Sequence, residues 1–228
     1  MVKVLGHRGC AGIEPENTMR AFKRAMNLGV DFIELDVRMS RDKKLVVIHD
    51  DKVDRTTNDN GYVRDLTFEE IRKLDAGKGE KIPSLEEAVD LLKKGKQRIA
   101  IEIKEPDTLE GILKIVKEEG LNNKVIIVSF WHNVLKRSKE IEPEIKTGTI
   151  FVGRAVDTVS IVKAAQSELL CLKHKFVDEE VIEECHKNDI GVNVWTVNEI
   201  EDIEKMKELG VDIISSDYPD RVLEELKS

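Results

Sequence analysis

Two carboxylates in the segment 31–37 (DFIELDV) have a spacing that suits chemistry. The apolar and β-branched residues of this segment predict a strand, and side chains two apart on a strand point the same way. Glu34 and Asp36 therefore share one face, and Ile33 and Leu35 share the other. Two inward carboxylates cannot both stay ionised and unpaired, because their desolvation costs too much. Either a hard divalent metal, Mg²⁺ or Ca²⁺, or a salt bridge to Arg or Lys meets that need.

A third carboxylate repeats this arrangement in the segment 98–104 (RIAIEIK). Glu102 lies on the next predicted barrel strand, and Lys104 is two residues further on the same face. Three inward carboxylates from adjacent strands favour a metal site. The alternative for Glu102 and Lys104 is a local ion pair.

Two histidines and an arginine are expected near these carboxylates. His7 and Arg8 directly follow the first predicted strand, and His49 follows a short strand that returns towards Asp36. The histidines are either metal ligands or a general acid and base, since an imidazole can accept or donate a proton near neutral pH. For His7 alone, a loop histidine bonded to backbone is the simpler interpretation. With Arg8 and Lys104 as added cations, the group suits phosphoryl chemistry, where charge on phosphate oxygens must be stabilised.

Aromatic residues at strand ends are candidates for contact with a small organic group. Trp195 lies late in the predicted strand 191–197, and Phe130 and Trp131 follow the strand 124–129. Core packing is the alternative for Trp195. The remaining histidines are expected to be structural: His132, His174 and His186.

The elements that must position these residues alternate regularly along the 228 residues. Apolar, β-branched runs predict strands at 2–6, 31–37, 98–104, 124–129, 146–151, 169–173, 191–197 and 211–215. Helical periodicity predicts helices at 17–28, 84–94, 108–119, 133–141, 157–167, 178–188, 199–209 and from 219 onward. Strands that alternate with helices predict a parallel sheet with right-handed crossovers. No Gly-rich dinucleotide fingerprint follows the first strand, which favours a closed barrel over an open, doubly wound sheet.

The predicted fold is therefore α/β, a (β/α)8 TIM-type barrel, formed by residues 1–228 as one catalytic domain. A small insertion, 50–81, follows the second barrel strand and is expected over the barrel mouth, where barrel enzymes hold their sites. A hairpin with its turn at 41–44 precedes the insertion. If residue 40 pairs with 45, then residue 36 faces residue 49.

Composition excludes several classes of protein. With 37 basic and 45 acidic residues, the net charge is −8, which argues against a nucleic-acid partner. A 40% hydrophobic content excludes a disordered chain. The three cysteines are too scattered for a disulfide framework or a zinc site. No apolar stretch is long enough for a signal peptide or a membrane span, so a cytoplasmic location without stable membrane insertion is expected. The oligomeric state is not specified by any of these features.

A series of short motifs resembles the glycerophosphodiester phosphodiesterase family. In chain order they are His7-Arg8-Gly9, Pro15-Glu16-Asn17-Thr18, Glu34-Leu35-Asp36-Val37, His49-Asp50, Arg55-Thr56-Thr57, Glu102-Ile103-Lys104 and Trp195-Thr196-Val197-Asn198. The closing segment 210–219 (GVDIISSDYP) resembles the final barrel strand of the family. The match covers almost the whole chain.

The resemblance implies a metal-dependent TIM barrel that hydrolyses glycerophosphodiesters to sn-glycerol 3-phosphate and an alcohol. It implies that Glu34, Asp36 and Glu102 bind Mg²⁺ or Ca²⁺, with Mn²⁺ as a further candidate, and that His7 and His49 are general base and acid. It further implies a set of substrate-contacting and supporting residues. Arg8 and Lys104 would hold the phosphate, Phe130 and Trp195 would line the pocket, and Glu16 would support the site.

Three alternatives remain open at this point. A lysophospholipase D-type hydrolase of lipid diesters needs an apolar path to the site, whereas the insertion 50–81 is mostly polar. A non-catalytic protein that binds glycerophosphodiesters would use the same residues without turnover. A barrel isomerase or lyase would also use inward carboxylates, but it usually needs a base on a later strand.

Overall fold

The computed structural model describes residues 1–227 and confirms the α/β class and the closed barrel. The strands in these residues are β1 (Lys3–Gly6), β2 (Phe32–Met39), β3 (Leu45–Val47), β4 (Arg98–Ile103), β5 (Val125–Ser129), β6 (Lys146–Phe151), β7 (Leu169–Lys173), β8 (Gly191–Trp195) and β9 (Ile213–Ser216). The helices are α1 (Met19–Leu28), α2 (Phe68–Lys73), α3 (Leu85–Leu92), α4 (Leu109–Glu118), α5 (His132–Ile141), α6 (Thr158–Ala164), α7 (Glu179–Lys187), α8 (Ile200–Leu209) and α9 (Pro219–Glu225).

All strands except β3 form one parallel barrel. The sheet runs β1-β9-β8-β7-β6-β5-β4-β2, and β1 pairs with β2 to close it. One helix lies between each pair of successive barrel strands, except that β3, α2 and α3 all fall between β2 and β4. Because every barrel strand runs the same way, all their carboxyl ends meet at one mouth.

The alternation of side chains along β2 divides the molecule into two cores. Ile33 and Leu35 point outward into the large apolar cluster between barrel and helices. Phe32 belongs to a separate cluster inside the barrel. The other buried members of that inner cluster are Leu5, Ala100, Ile126, Val128, Ile150, Cys171 and Ile213. The side chains of Glu34 and Asp36 lie two and four residues after Phe32, so they point to the same inner face of the barrel, nearer the mouth.

The predicted register of the hairpin is wrong by one residue. Met39 pairs with Leu45 and Val37 with Val47, and the backbone N–H of Ile48, not His49, donates to Asp36 O at 3.0 Å. The cause is the turn. Lys43 adopts a left-handed conformation with φ 65°, so the loop has three residues instead of four. This is a common hairpin geometry, a turn followed by one left-handed residue.

A tight turn after β1 fixes the direction of the next two side chains. The N–H of Gly9 donates to both Gly6 O and Glu34 O, at 3.3 and 3.2 Å. A Cβ at Gly6 would lie 2.1 Å from Gly9 O, so only glycine fits there. His7 and Arg8 lie within this turn and are therefore held against β2.

The segment 50–81 lies between β3 and α3. It contains α2, and it packs its own apolar cluster, with Val53, Val63 and Ile71, against Val46 and Ile48 of the hairpin. Helix α3 then begins at a capping box formed by Ser84 and Glu87. No helix within residues 1–227 is both long enough and apolar enough to span a membrane.

Candidate active site

Three buried carboxylates meet at the mouth of the barrel. Glu34 and Asp36 lie on β2 and Glu102 on β4, where Asp36 and Glu102 are direct neighbours in the parallel register. One oxygen of each carboxylate lies within 4.8 Å of the others. The three residues are 5%, 0% and 8% exposed, respectively. Three charges are thus removed from water within a few ångströms of one another.

Protein cations satisfy this cluster only in part. Lys104 Nζ donates to Glu102 Oε1 at 2.6 Å and lies 3.2 Å from Asp36 Oδ1. The backbone N–H of Arg8 donates to Glu34 Oε2 at 2.7 Å, and Asn17 Nδ2 donates to Asp36 Oδ2 at 2.7 Å. Within residues 1–227, the buried atoms Glu34 Oε1 and Asp36 Oδ1 accept no hydrogen bond. The local ion pair predicted for Glu102 and Lys104 therefore exists, and Lys104 is shared with Asp36 Oδ1, whereas Glu34 Oε1 has neither a hydrogen bond nor an ion pair among the described residues.

The electrostatics of the cluster indicate an excess of negative charge. Burial, reinforced by Asp36 and Glu102, raises the pKa of Glu34 well above its usual range. Burial and the charge of Asp36 raise the pKa of Glu102 to about 7. Burial opposes ionisation of Asp36 too, but Lys104 and Arg8 hold its pKa below the usual range. Buried oxygen donors that lack sufficient counter-charge fit a hard divalent cation.

Each candidate histidine is paired with an aspartate. His7 Nδ1 lies 2.7 Å from Asp217 Oδ1, and His49 Nδ1 lies 2.6 Å from Asp50 Oδ1. An ionised carboxylate only accepts hydrogen bonds, so Nδ1 carries a proton in both rings and Nε2 is the nitrogen left to accept or donate one. Hydrogen bonds from Arg55 lower the pKa of Asp50 and keep it ionised.

The two pairs differ in the surroundings of their ionisable groups. Burial opposes the charge of Asp217, but hydrogen bonds from His7 and Asn198 lower its pKa. Burial lowers the pKa of His49, and Asp36 partly offsets this effect. Both histidines line the same cavity as Glu34 and Glu102, and Asp36 is fully buried behind that lining.

This cavity extends from the mouth into the barrel and has a volume of about 690 Å³, part of it open to solvent. Its lining includes Trp195 at the top and Leu169 at the bottom, and Leu169 pairs with Gly191 in the β7–β8 register. Four residues of strand separate these levels, about 13 Å in depth. The upper part carries the charged residues, and the lower part is lined mainly by the apolar inner cluster.

Two of the three aromatic candidates line the cavity. The rings of Phe130 and Trp195 are 5.9 Å apart and meet edge to face, and Trp195 Nε1 donates to Cys171 O at 3.0 Å. Trp195 also packs against the inner cluster, so both interpretations of this residue hold. Trp131 does not belong to the cavity lining, and its Nε1 donates to Lys104 O at 3.1 Å.

Glu16 lies beside the cavity rather than in its lining. Its Oε1 accepts from Arg8 Nη1 at 2.9 Å, so it orients the guanidinium whose Nε is 3.5 Å from Asp36 Oδ2. The three histidines expected to be structural lie outside the cavity lining. They bond Ile150 O (His132), Trp195 O (His174) and Asp212 (His186).

The sequence alone predicts no role for Asn17, Asp217 and Asn198. Asn17 bonds Asp36, and Asp217 bonds His7 and Asn198. Each of these residues stands inside a motif quoted above. The pairing was not visible because Asp217 and His7 are 210 residues apart.

Comparisons with known proteins agree with this geometry. The model of the glycerophosphoryl diester phosphodiesterase family matches residues 7–221. The glycerophosphodiester phosphodiesterase of Caldanaerobacter subterraneus is 40% identical, over 96% of this chain and 96% of its own. That of Bacillus altitudinis is 35% identical, with 100% of both chains covered. A solved structure of an Oleispira antarctica phosphodiesterase in complex with the product sn-glycerol-3-phosphate is similar with a TM-score of 0.94 and 26% identity, over 99% of this chain and 97% of that chain.

The raised pKa of Glu102 predicts a pH dependence of stability in metal-stripped protein. The folded state keeps the Glu102 proton up to about pH 7, whereas the ordinary value is 4.5. Between these values the folded state binds more protons, so the free energy of unfolding falls as the pH rises. Relative to Glu102→Gln, we expect the wild-type Tm to fall by roughly 5–10 °C from pH 5 to pH 7. Circular dichroism melts in a chelator measure this difference.

The comparison between wild type and Glu102→Gln is needed because His49 changes the free energy of unfolding with pH in the opposite direction. Its lowered pKa makes stability rise with pH below 6.5. That contribution is common to wild type and Glu102→Gln, so it cancels in the difference. Glu208→Gln, at an exposed helix position, serves as the control and keeps the wild-type profile. Equal profiles for wild type and Glu102→Gln would show that Glu102 is ionised throughout.

Proposed function

This chain belongs to the glycerophosphoryl diester phosphodiesterase family, and on that basis we propose that it hydrolyses glycerophosphodiesters. Glycerophosphocholine and glycerophosphoethanolamine represent the substrate class, and sn-glycerol 3-phosphate and an alcohol are the products. The observation that carries the proposal is that two carboxylates of the buried triad, two cations and two aspartate-paired histidines line one cavity. The product complex of the Oleispira antarctica relative supports the same chemistry.

Glu34, Asp36 and Glu102 are proposed to hold one divalent cation. Their donor set consists of hard carboxylate oxygens, which selects Mg²⁺ or Ca²⁺, with Mn²⁺ as a further candidate. When bound, such a cation supplies positive charge beside the phosphoryl oxygens of the substrate. Glu34 Oε1 and Asp36 Oδ1, which accept no hydrogen bond within the described chain, support this assignment.

Arg8 and Lys104 bind the phosphate in this proposal. Both line the cavity, and both lie beside Asp36, with Lys104 Nζ 3.2 Å and Arg8 Nε 3.5 Å from its oxygens. Glu16 supports the site by fixing the Arg8 guanidinium through Nη1. Phosphoryl transfer places charge on the non-bridging oxygens, and two fixed cations stabilise that charge without reorganisation.

His7 and His49 transfer protons. Each ring is oriented through Nδ1 by its aspartate, so Nε2 is the atom that exchanges a proton with the substrate. One histidine deprotonates a nucleophile, either the neighbouring glycerol hydroxyl or a water molecule. The other enters the step as the imidazolium, with a second proton on Nε2, and gives that proton to the leaving alcohol oxygen as the bond between oxygen and phosphorus breaks. A glycerol hydroxyl as nucleophile gives a cyclic phosphate, which water then opens.

The cavity determines how the two organic arms of the diester are held. Phe130 and Trp195 present ring faces and edges near the mouth, and they are proposed to pack against the glycerol or alcohol part. A polar headgroup extends from the mouth into solvent. The cytoplasmic location and the single-domain organisation stay predictions.

Metal-stripped protein is expected to release glycerol 3-phosphate from glycerophosphocholine only after Mg²⁺, Mn²⁺ or Ca²⁺ is restored. Asp36→Ala should lose turnover and metal affinity together. His49→Ala should lower kcat by about 10²–10⁴-fold and keep the metal, because general acid–base catalysis contributes that much. Coupled-enzyme detection of glycerol 3-phosphate and calorimetric metal titration give the two measurements.

His186→Gln is the matched control, since His186 pairs with Asp212 outside the cavity, and it should keep wild-type turnover. If His49→Ala also loses the metal, His49 is a ligand rather than a proton carrier. If no metal restores release while substrate still raises the Tm, the chain is a binding protein.

An apolar rim favours a second candidate function, the lysophospholipase D-type hydrolysis of lipid diesters. Exposed side chains follow β5, β6, β7 and β8 at the mouth. They form the apolar rim: Phe130, Trp131, Val152, Val156, Phe176 and Ile200. An acyl chain attached to the glycerol arm would cover part of this rim, and exposed apolar surface of this kind commonly marks a binding site.

The rim candidate predicts measurable turnover of a short-chain lysophosphatidylcholine below its micellar concentration. Val152→Ser, at the rim and outside the cavity lining, should lower kcat/KM for this lipid by about 5–10-fold, the value of one lost apolar side-chain contact. Glycerophosphocholine turnover should stay unchanged. Tyr62→Ser, at an exposed aromatic of the segment 50–81, is the control for the lipid assay. Absence of lipid turnover in wild type would restrict the enzyme to small diesters.

A further inference from the structure

Arg55 belongs to a motif that the proposed function leaves without a role. It lies in the segment 50–81 and bonds two carboxylates with one guanidinium. Nη1 and Nη2 donate to Glu16 Oε2 and Oε1 at 2.7 and 2.8 Å. Nε and Nη2 donate to Asp50 Oδ2 and Oδ1 at 2.7 and 3.0 Å. Four of its five N–H groups are thus directed at two carboxylates, each in a two-point contact.

The two carboxylates have different further partners. Asp50 Oδ1 also accepts from His49 Nδ1 at 2.6 Å. Glu16 is the more buried of the two carboxylates, with a side chain 16% exposed against 28% for Asp50. Glu16 therefore anchors Arg55 to the loop after β1, and Arg55 in turn fixes the Asp50 carboxylate that orients His49.

The other histidine has a comparable third partner. Asn198 Nδ2 donates to Asp217 Oδ2 at 2.8 Å, and its Oδ1 accepts from the backbone N–H of Asp217 at 3.0 Å. Asp217 Oδ1 then remains for His7 Nδ1. Both His–Asp pairs consequently end in a side chain that holds the aspartate by its other oxygen. Arg55 thus bonds Asp50 in the same way as Asn198 bonds Asp217.

The two aspartates differ in how much they depend on that third side chain. The backbone of Asp217 is also held independently of Asn198, since Asp217 O accepts from the N–H of Gly12 at 2.9 Å. The Asp50 side chain accepts only from His49 and Arg55 among the residues 1–227. The Arg55 side chain is 49% exposed, and ion pairs at such positions contribute little to folding stability. The geometric restraint on Asp50 is then the main consequence of Arg55.

We propose that Arg55 is a positioning residue of the reaction, acting through the Asp50 carboxylate to hold the His49 ring in its productive orientation. Arg55 is not among the residues that line the carboxylate cavity, and its guanidinium is bonded to Glu16 and Asp50. It lines a neighbouring cleft beside His7 and Arg8. The inference rests on the proposed function, because it gives His49 a proton to transfer. It goes beyond that function by extending the working unit to a residue outside the cavity.

The test compares Arg55→Met, Asp50→Asn and the double variant by steady-state kinetics with glycerophosphocholine and Mg²⁺. Arg55→Met should lower kcat about 10–100-fold, the usual effect of removing an outer partner of a functional histidine. KM should change less than about threefold, because Glu16 keeps its bond to Arg8. The double variant should match Asp50→Asn, because Arg55 acts only through Asp50. Arg55→Lys, with one donor group instead of a fork, should recover part of kcat.

Arg72→Met is the matched control. Arg72 lies on α2 of the same segment and contacts Glu87 and Ile82 O, away from both histidines. It should keep the wild-type kcat, and its Tm should fall as much as that of Arg55→Met. The proposal would be overturned in favour of a structural role by either of two results. One is a larger Tm loss in Arg55→Met than in Arg72→Met. The other is a double variant whose loss of kcat is the product of the losses in the two single variants.

A spectroscopic measurement separates this inference from the proposed function. Proton NMR of the full chain in Mg²⁺ buffer should show downfield Nδ1–H resonances for both His–Asp pairs. His49→Ala and His7→Ala assign them. Arg55→Met should broaden or shift the His49 resonance and leave that of His7 unchanged. An unaltered His49 resonance would refute the positioning role, whatever the outcome of the hydrolysis assay. If the wild-type protein shows no turnover, the proposed hydrolysis is refuted and the effect of Arg55 on the His49 ring is not.

Discussion

The burial of three carboxylates at one end of a barrel is the constraint on which the rest of the molecule depends. Glu34, Asp36 and Glu102 are brought together by the parallel pairing of β2 with β4, and their inward direction leaves each of them less than a tenth exposed. Desolvated carboxylates repel each other and lose their hydration, so the cluster is tolerated only with compensating cations and donors. Lys104 and Arg8 supply part of that compensation, and Glu34 Oε1 and Asp36 Oδ1 still accept no hydrogen bond among the described residues, which is the basis for proposing a divalent cation here.

The elements around the cluster can be understood as its support. The tight turn at Gly6–Gly9 directs the Arg8 N–H at Glu34, and the loop that follows brings Asn17 to Asp36. The hairpin and the start of the segment 50–81 bring His49 to the cavity, where Asp50 orients its ring through Nδ1. Below this polar layer the barrel interior becomes apolar. The carboxylates are therefore largely buried, and electrostatic interactions between buried groups are stronger than in bulk water.

Much of this architecture was predictable, since strand periodicity and parity are local properties. The period-two pattern in 31–37 located the inward carboxylates, and the alternation of strands and helices indicated the barrel. The hairpin register was not predictable, because it depended on Lys43 adopting a positive φ, which few non-glycine residues do. The partners of the histidines were also hidden. Asp217 reaches His7 only when β9 closes the barrel against β1, a contact that no local pattern encodes.

The most direct test of the account is a crystal of the full chain grown with Mn²⁺ and measured at a wavelength where manganese scatters anomalously. We expect one strong anomalous peak within coordination distance of oxygens from Glu34, Asp36 and Glu102, with Lys104 Nζ moved away from Asp36. A carboxylate cluster without an anomalous peak, with Lys104 still bridging Glu102 and Asp36, would contradict it. In that case the protein's own cations would suffice to neutralise the cluster.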